Sequence, residues 1–297
     1  MKYLYYPGCS LKSTGRAYEE SLFAVFKALD VPLEELNDWN CCGATSYMSV
    51  DERKAFAITT RNLALAESQG NGTASEPVQI IAPCSACFAL LLKAQRYMKE
   101  HPDLNEAVAR GLKEVGLSYE GNVQVRHPLD VVVNDIGFER ITGGISQQLK
   151  GLKVVSYYGC LVVRPFATFD SPWNPTSMDR LAEALGATPV DWALKTRCCG
   201  GTLTGTIEKV GLSLGYVLLS EALRKGADIM ITTCPLCQFD LECFQEQISQ
   251  KYKRHIQLPV LYFTQLMGLA FGIPGKELGI QRLFVSPEKV YQKCVGG

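Results

Sequence analysis

The chain has 297 residues with 30 basic and 30 acidic side chains, so its formal net charge is zero, and 47% of it is hydrophobic. This balance excludes the basic footprint of a nucleic-acid binder or of a ligand for anionic membranes, and the length accommodates two domains of about 100–200 residues each. The start lacks a basic, apolar, small-residue leader, and the longest apolar stretch, Val260 to Ile273, is broken by Thr264 and Gln265, short of the ~18 residues of a spanning helix. The expectation is a cytoplasmic protein with no direct membrane span and no nucleic-acid partner.

In chain order, Lys2 to Pro7 reads as a short strand leading into Cys9. The segment Ser13 to Leu29 places Tyr18, Leu22, Val25, Phe26 and Leu29 on one face, an amphipathic helix with Ser13 or Thr14 as N-cap and Glu19 and Glu20 near its positive end. The pair Cys41-Cys42 with Gly43 precedes a helical segment, Asp51 to Glu67, with Gly70 at its end. The loop Ser68 to Pro77 follows, then a buried strand, Val78 to Ala82, entering Cys84 and Cys87. Asn105 to Val115 reads as a helix, and Val123 to Val133 is a further apolar run.

A polar, Gly-bearing stretch, Thr142 to Leu152, precedes Lys153, where the order begins again. A strand leads to Cys160, and the loop Ser171 to Pro175 reads as an ordinary structured loop rather than a lid. Next come Cys198-Cys199 with Gly200, a helix over Thr206 to Lys225 closed by Gly226, a strand over Ile229 to Thr232, and Cys234 and Cys237. Leu258 to Phe263 corresponds to the late apolar run of the first half. Equivalent cysteines lie 150 to 157 residues apart, so the repeat unit is half the chain. That is a duplicated domain rather than a solenoid, whose units run to roughly 20–50 residues. The fold expected is α/β: two tandem, pseudo-symmetric domains, 1–148 and 149–297, each a Rossmann-like parallel sheet flanked by helices with its cysteine loops at strand ends.

Ten of the 12 cysteines belong to the two matched sets. In a reducing compartment such clusters bind metal or act as catalysts more often than they cross-link. Thiolates are soft donors that favour iron–sulfur clusters, zinc or copper(I). Zinc closes with four ligands, whereas each set offers five, two of them adjacent in sequence, and such neighbours do not both point easily at one tetrahedral ion. A larger multi-iron cluster suits them better. His101, His127 and His255 all lie outside the sets, which disfavours mixed Cys/His zinc sites.

The doubled pattern of Cys, Cys-Cys-Gly and Cys-x-x-Cys resembles the cysteine-rich CCG domain over nearly the whole chain. Tyr5-Tyr-Pro-Gly-Cys9, Asn40-Cys-Cys-Gly43 and Leu258 to Leu266 are most similar to the B subunit of CoB/CoM heterodisulfide reductase and its bacterial relatives. The resemblance implies two noncubane [4Fe-4S] clusters, one on Cys9, Cys41, Cys42, Cys84 and Cys87 and the other on Cys160, Cys198, Cys199, Cys234 and Cys237, with a disulfide or sulfur-carrier substrate cleaved or formed between them. It implies that the two metal clusters themselves are the catalytic groups. It also implies partners, an iron–sulfur electron-relay subunit resembling the family's C subunit, together with a flavin subunit resembling its A subunit. The chain has no Gly-x-Gly-x-x-Gly fingerprint, so no flavin or nicotinamide is expected in it.

Gly8, Gly43, Gly159, Gly200 and Gly201 are expected to let backbone approach the clusters. Lys12, Arg16, Lys195 and Arg197 are candidates to bind an anionic substrate group, weighed against plain surface charge, and Arg197 leads because it adjoins Cys198. His127 is a candidate proton donor, weighed against a hydrogen-bonded structural histidine. Cys243 reads as an inert thiol on a helix and Cys294 as part of a C-terminal tail. Two other functions fit the pattern: an electron-transfer or anchoring subunit of a lactate, glycolate or succinate oxidising complex, or a zinc scaffold. A sulfur-oxidising version of the heterodisulfide-reductase-like complex would use the same ligands.

Overall fold

In the computed structural model, which describes residues 3–44, 46–70 and 72–295, the two halves repeat one topology. The first half runs β1 (Tyr3–Tyr5), α1 (Gly8–Leu11), α2 (Arg16–Ala28), β2 (Leu33–Glu35), α3 (Ser46–Val50), α4 (Glu52–Gly70), β3 (Val78–Ile81), α5 (Ser85–Glu100), α6 (Pro102–Glu114), β4 (Val123–Arg126), α7 (Pro128–Asp130) and α8 (Phe138–Gly143). The second runs β5 (Lys153–Tyr157), α9 (Ser177–Ala184), β6 (Thr188–Pro189), α10 (Gly201–Thr204), α11 (Glu208–Arg224), β7 (Ile229–Thr232), α12 (Pro235–Cys243), α13 (Gln245–Tyr252), β8 (Val260–Tyr262), α14 (Phe263–Ala270) and α15 (Glu288–Val295). The sheets are parallel, in the orders β2-β1-β3-β4 and β6-β5-β7-β8. Helices cover them, which is why β7 is buried at every residue and carries no polar alternation.

Every set cysteine follows the C-terminal end of a strand: β1, β2 and β3 in the first half, β5, β6 and β7 in the second. Open α/β sheets place their ligands at this end, because the loops there converge without obstructing the strands. The two halves are joined by more than the chain. Helix α2 packs on α14, and one apolar core holds Leu22 and Val25 together with Leu266 and Met267.

Several boundaries differ from the sequence reading. Lys2 lies outside the described residues, and the opening strand begins at Tyr3. Ser13 donates to the Cys9 carbonyl at 2.9 Å instead of capping, so α2 begins at Arg16, although its predicted apolar face is wholly buried. Helix α4 extends through Gly70, shortening the predicted loop, of which Asn71 lies outside the described residues. The apolar run from Val123 to Val133 is a strand only to Arg126. Pro128 has no amide to donate, and the His127 ring accepts from Leu129 N at 3.1 Å, turning the chain into α7 and then a π-helical segment over Val131–Ile136. Cys294 falls in α15 rather than in a loose tail, and its side chain lies outside the described residues. Among the described residues no helix is long and apolar enough to cross a membrane.

Candidate metal centre

The first set is assembled from three strand ends. Cys42 Sγ lies 3.2 Å from Cys87 Sγ and Cys41 Sγ lies 3.8 Å from Cys9 Sγ, with Cys42, Cys84 and Cys87 buried and Cys9 and Cys41 at the surface. The second set repeats this. Cys199 and Cys237 sulfurs are 3.6 Å apart, Cys199, Cys234 and Cys237 are buried, Cys160 is half-buried and Cys198 is exposed. Among the described residues no group of three or more His, Cys, Asp or Glu side chains is placed to hold one metal ion.

Backbone amides point at the sulfurs. Gly43 N donates to Cys41 Sγ at 3.4 Å, Gly200 N to Cys198 Sγ at 3.4 Å and Gly201 N to Cys199 Sγ at 3.3 Å. At Gly8 (φ +64°) a Cβ would stand 2.9 Å from Cys87 Sγ, and at Gly159 (φ +68°) it would stand 3.0 Å from Cys237 Sγ. These two positions therefore need glycine twice over, for the left-handed backbone and for the sulfur beside it.

The crowding polarises the thiols. Hydrogen bonding from Cys198, then from Cys237, lowers Cys199 to about 4, and hydrogen bonding from Cys41, then Cys87, holds Cys42 far below the usual thiol range. The donors move the opposite way: Cys41, Cys198, Cys87 and Cys237 are raised, each first by the hydrogen bond it gives. Each set thus stabilises a thiolate only by keeping its neighbour protonated. A soft cationic centre would let the donors ionise together. Soft donors, amides directed at sulfur and glycines without side-chain bulk fit a thiolate-bound iron–sulfur cluster.

The two sets meet. Cys84 is raised, chiefly by the neighbouring Cys234, while Cys234 is lowered by Cys237 and then by Cys84. The turns carrying them touch through Ser85 and Thr233, whose hydroxyl oxygens are 3.4 Å apart. A cavity of about 70 Å³ at this junction is lined by the second-set cysteines and by Ser85, Ala86, Leu161 and Leu236.

Four of the candidate substrate residues are engaged elsewhere. Lys12 pairs with Glu19 and Glu35, both at 2.7 Å, and Arg16 with Glu20 at 3.3 Å. Lys195 is buried against Asp179 at 2.6 Å. His127 is fully buried; Nδ1 accepts from Leu129 N, Nε2 faces the Pro83 carbonyl at 3.0 Å, and burial lowers its pKa to about 4. Lys195 and His127 are buried in structural pairs, whereas Lys12 and Arg16 stand in surface ion pairs. Arg197 is exposed beside Cys198. The loop 171–175 is structured by Asp170, whose carboxylate accepts from Ser171 N, Thr176 N and Ser177 N, although Trp173 remains exposed. Cys243 is a half-buried thiol near Glu242 and Asp240.

Sequence reasoning missed three features. Tyr6 donates to the Asn40 carbonyl at 2.8 Å and Tyr157 to the Arg197 carbonyl at 2.7 Å, pinning both cysteine-pair turns from equivalent positions. The repeated Tyr-x-Gly-Cys was the available signal. Arg164 donates to the Thr196 carbonyl, and its charge lowers Cys160 against the larger effect of burial. Asp240 accepts from Thr204 at 2.5 Å and interacts with Cys199; burial raises it to about 7. Nothing in the spacing singled out either.

The family of cysteine-rich domains designated CCG matches residues 3–91 and 154–242. The 8-methylmenaquinol:fumarate reductase membrane anchor subunit of Wolinella succinogenes is 31% identical over 97% of this chain and 99% of its own. A protein of Archaeoglobus profundus, named for its likeness to the B subunit of heterodisulfide reductase, is 29% identical over 94% of each chain. The B subunit of the ferredoxin/F(420)H(2)-dependent CoB-CoM heterodisulfide reductase of Methanosarcina acetivorans is 28% identical over 93% and 91%. Among solved structures, a hypothetical protein from Helicobacter pylori shares the fold with a TM-score of 0.75 at 16% identity, over 95% of this chain and 51% of that one.

Proposed function

This chain belongs to the cysteine-rich CCG domain family in two copies, and from that membership we propose a redox subunit with two noncubane [4Fe-4S] clusters that acts on a disulfide or related sulfur substrate. One cluster is assigned to Cys9, Cys41, Cys42, Cys84 and Cys87 within 1–148, the other to Cys160, Cys198, Cys199, Cys234 and Cys237 within 149–297. The observation that carries the reading is the contact of Ser85 with Thr233, whose hydroxyl oxygens lie 3.4 Å apart and bring the turns of Cys84 and Cys234, and with them the two sets, together at one buried seam. Cleaving a disulfide takes two electrons; when bound, clusters of this kind supply one each and offer iron as a Lewis acid to the substrate sulfurs.

The chain's own residues do the positioning. Tyr6 and Tyr157 hold the two cysteine-pair turns, and the Gly43, Gly200 and Gly201 amides donate to sulfur, which tunes a cluster's potential. Arg197 stays the candidate for an anionic substrate group. Electrons come from partner subunits, an iron–sulfur relay and a flavoprotein, because no dinucleotide fingerprint occurs in this sequence.

A second reading has its own support. The relative from Wolinella succinogenes is named as the anchor subunit of a quinol:fumarate reductase, and the apolar Ala86, Leu161 and Leu236 at the seam suit a quinone as well as a thiol. In that reading the same ligands exchange electrons with a quinone and no disulfide binds.

The deciding experiment uses anaerobically purified protein assayed for iron, zinc and acid-labile sulfide, then reduced with an artificial donor and offered disulfides or a menaquinone analogue. Disulfide turnover lost in both Cys41→Ala and Cys198→Ala is the expected result. Zinc without iron or sulfide would overturn the cluster assignment. Rates unchanged in both variants would overturn the disulfide reading, and cluster oxidation by the quinone alone would establish the second.

A further inference from the structure

Tyr18 is fully buried on α2, and its hydroxyl has no hydrogen-bond partner. Its ring stacks on Tyr262 of the other half, with centroids 4.3 Å apart and planes 9° apart. The hydroxyl of Tyr262 is engaged, donating to Gln238 Oε1 at 3.4 Å. The helix that carries Tyr18 reaches the cysteine seam: a Cβ at Gly15, at the start of α2, would stand 2.8 Å from Pro235 Cβ, and Pro235 follows Cys234 in the chain. A phenol is protonated at neutral pH and able to donate.

A buried hydroxyl without an acceptor is costly, and a phenylalanine ring would fill the same space without that cost. The oxygen is accounted for by an acceptor that arrives with the metal centre: sulfur. We propose that Tyr18 is a positioning residue whose hydroxyl donates a hydrogen bond to cluster sulfur at the Cys84–Cys234 seam and thereby raises the cluster potential. The inference rests on the iron–sulfur reading above. Its physical basis is that a donor to sulfur withdraws charge and makes the reduced state easier to reach. The residue reaches the seam only because α2 of one half packs on α14 of the other, so the docking of the halves is itself a determinant of the potential.

The test is a redox titration followed by EPR on wild type, Tyr18→Phe and Tyr262→Phe, with iron and sulfide counted in each, and thermal unfolding of the metal-free chains. Iron and sulfide in the wild type establish the underlying reading; their absence removes it, and this inference with it. Given a loaded wild type, Tyr18→Phe is expected to keep the same iron content, to move at least one midpoint potential to a more negative value, and to unfold, metal-free, at the same or a higher temperature. Tyr262→Phe, whose hydroxyl has its own acceptor, is expected to shift less. Unchanged potentials in Tyr18→Phe, an equal shift in Tyr262→Phe, loss of iron, or a lower metal-free unfolding temperature in Tyr18→Phe would each overturn the assignment.

Discussion

Ser21 Oγ and Thr264 Oγ1 lie 2.6 Å apart, fully buried, and join α2 of the first half to α14 of the second. Ser21 also donates to the Tyr18 carbonyl at 3.1 Å, so the same side chain ties the seam to the helix that carries Tyr18. Replacing Thr264 by Val keeps the shape and leaves Ser21 one partner short. The expected cost is about 1 kcal/mol. Because the pair acts as a unit, the double variant Ser21→Ala/Thr264→Val should cost less than the sum of the singles in denaturant titrations. Strict additivity would mean that the two hydroxyls are independent.

The duplicated cysteine pattern was legible because ligands to one centre must recur at fixed places relative to strand ends, and the strand Ile229–Thr232 was legible because four buried apolar or β-branched residues admit little else there. The seam was not legible. Ser21 and Thr264 are 243 positions apart, and neither side chain advertises a buried partner. Lys195 and Lys12 both turn toward carboxylates, because nearness to a cysteine in sequence does not fix the direction of a side chain. His127 read as a possible donor because pattern alone does not reveal that both ring nitrogens are occupied.

For His127 the pH consequence has a definite sign. Burial lowers its pKa from 6.5 to about 4, so the folded chain takes up its proton later than the unfolded chain does. Its contribution is complete above pH 6.5 and is lost as pH falls toward 4, amounting to about 3 kcal/mol at most. His127→Asn keeps an N-capping acceptor for Leu129 N but cannot titrate. Its stability deficit relative to wild type should therefore shrink between pH 7 and pH 4, measured by urea unfolding at each pH. A deficit constant across that range would mean that the ring is not held neutral.

Glu242 works in the opposite direction. Burial raises it from 4.5 to about 7, against hydrogen bonds from Phe284 N, Val260 N and Gln238 that lower it. The folded chain then holds the proton more tightly than the unfolded chain, and stability declines as pH rises from 4.5 through 7, by about 3 kcal/mol at most. Glu242→Gln can still accept from Phe284 N without acquiring charge. Relative to wild type it should gain stability steadily from pH 4.5 to 8, and parallel pH profiles would contradict the assignment. Comparing each variant with wild type at the same pH separates this carboxyl from His127, whose contribution runs the other way.

Two glycines face sulfur, one in each set. A Cβ at Gly8 would meet Cys87 Sγ at 2.9 Å, and one at Gly159 would meet Cys237 Sγ at 3.0 Å, both on a backbone with positive φ. The left-handed backbone alone costs an alanine about 1–2 kcal/mol, and the contact adds to it by pushing a buried ligand aside. Since Cys87 belongs to one set and Cys237 to the other, each substitution should disturb one site. In anaerobically purified protein, Gly8→Ala and Gly159→Ala should each lose about half of the bound iron if the two sets are equal and separate. The remaining EPR signal should differ between the two variants, because Arg164 and Asp240 sit beside second-set cysteines, while Ser13 and Leu90 occupy the corresponding places in the first half. Loss of all iron in either single variant would instead show that the clusters assemble only together, through the seam where Ser85 meets Thr233.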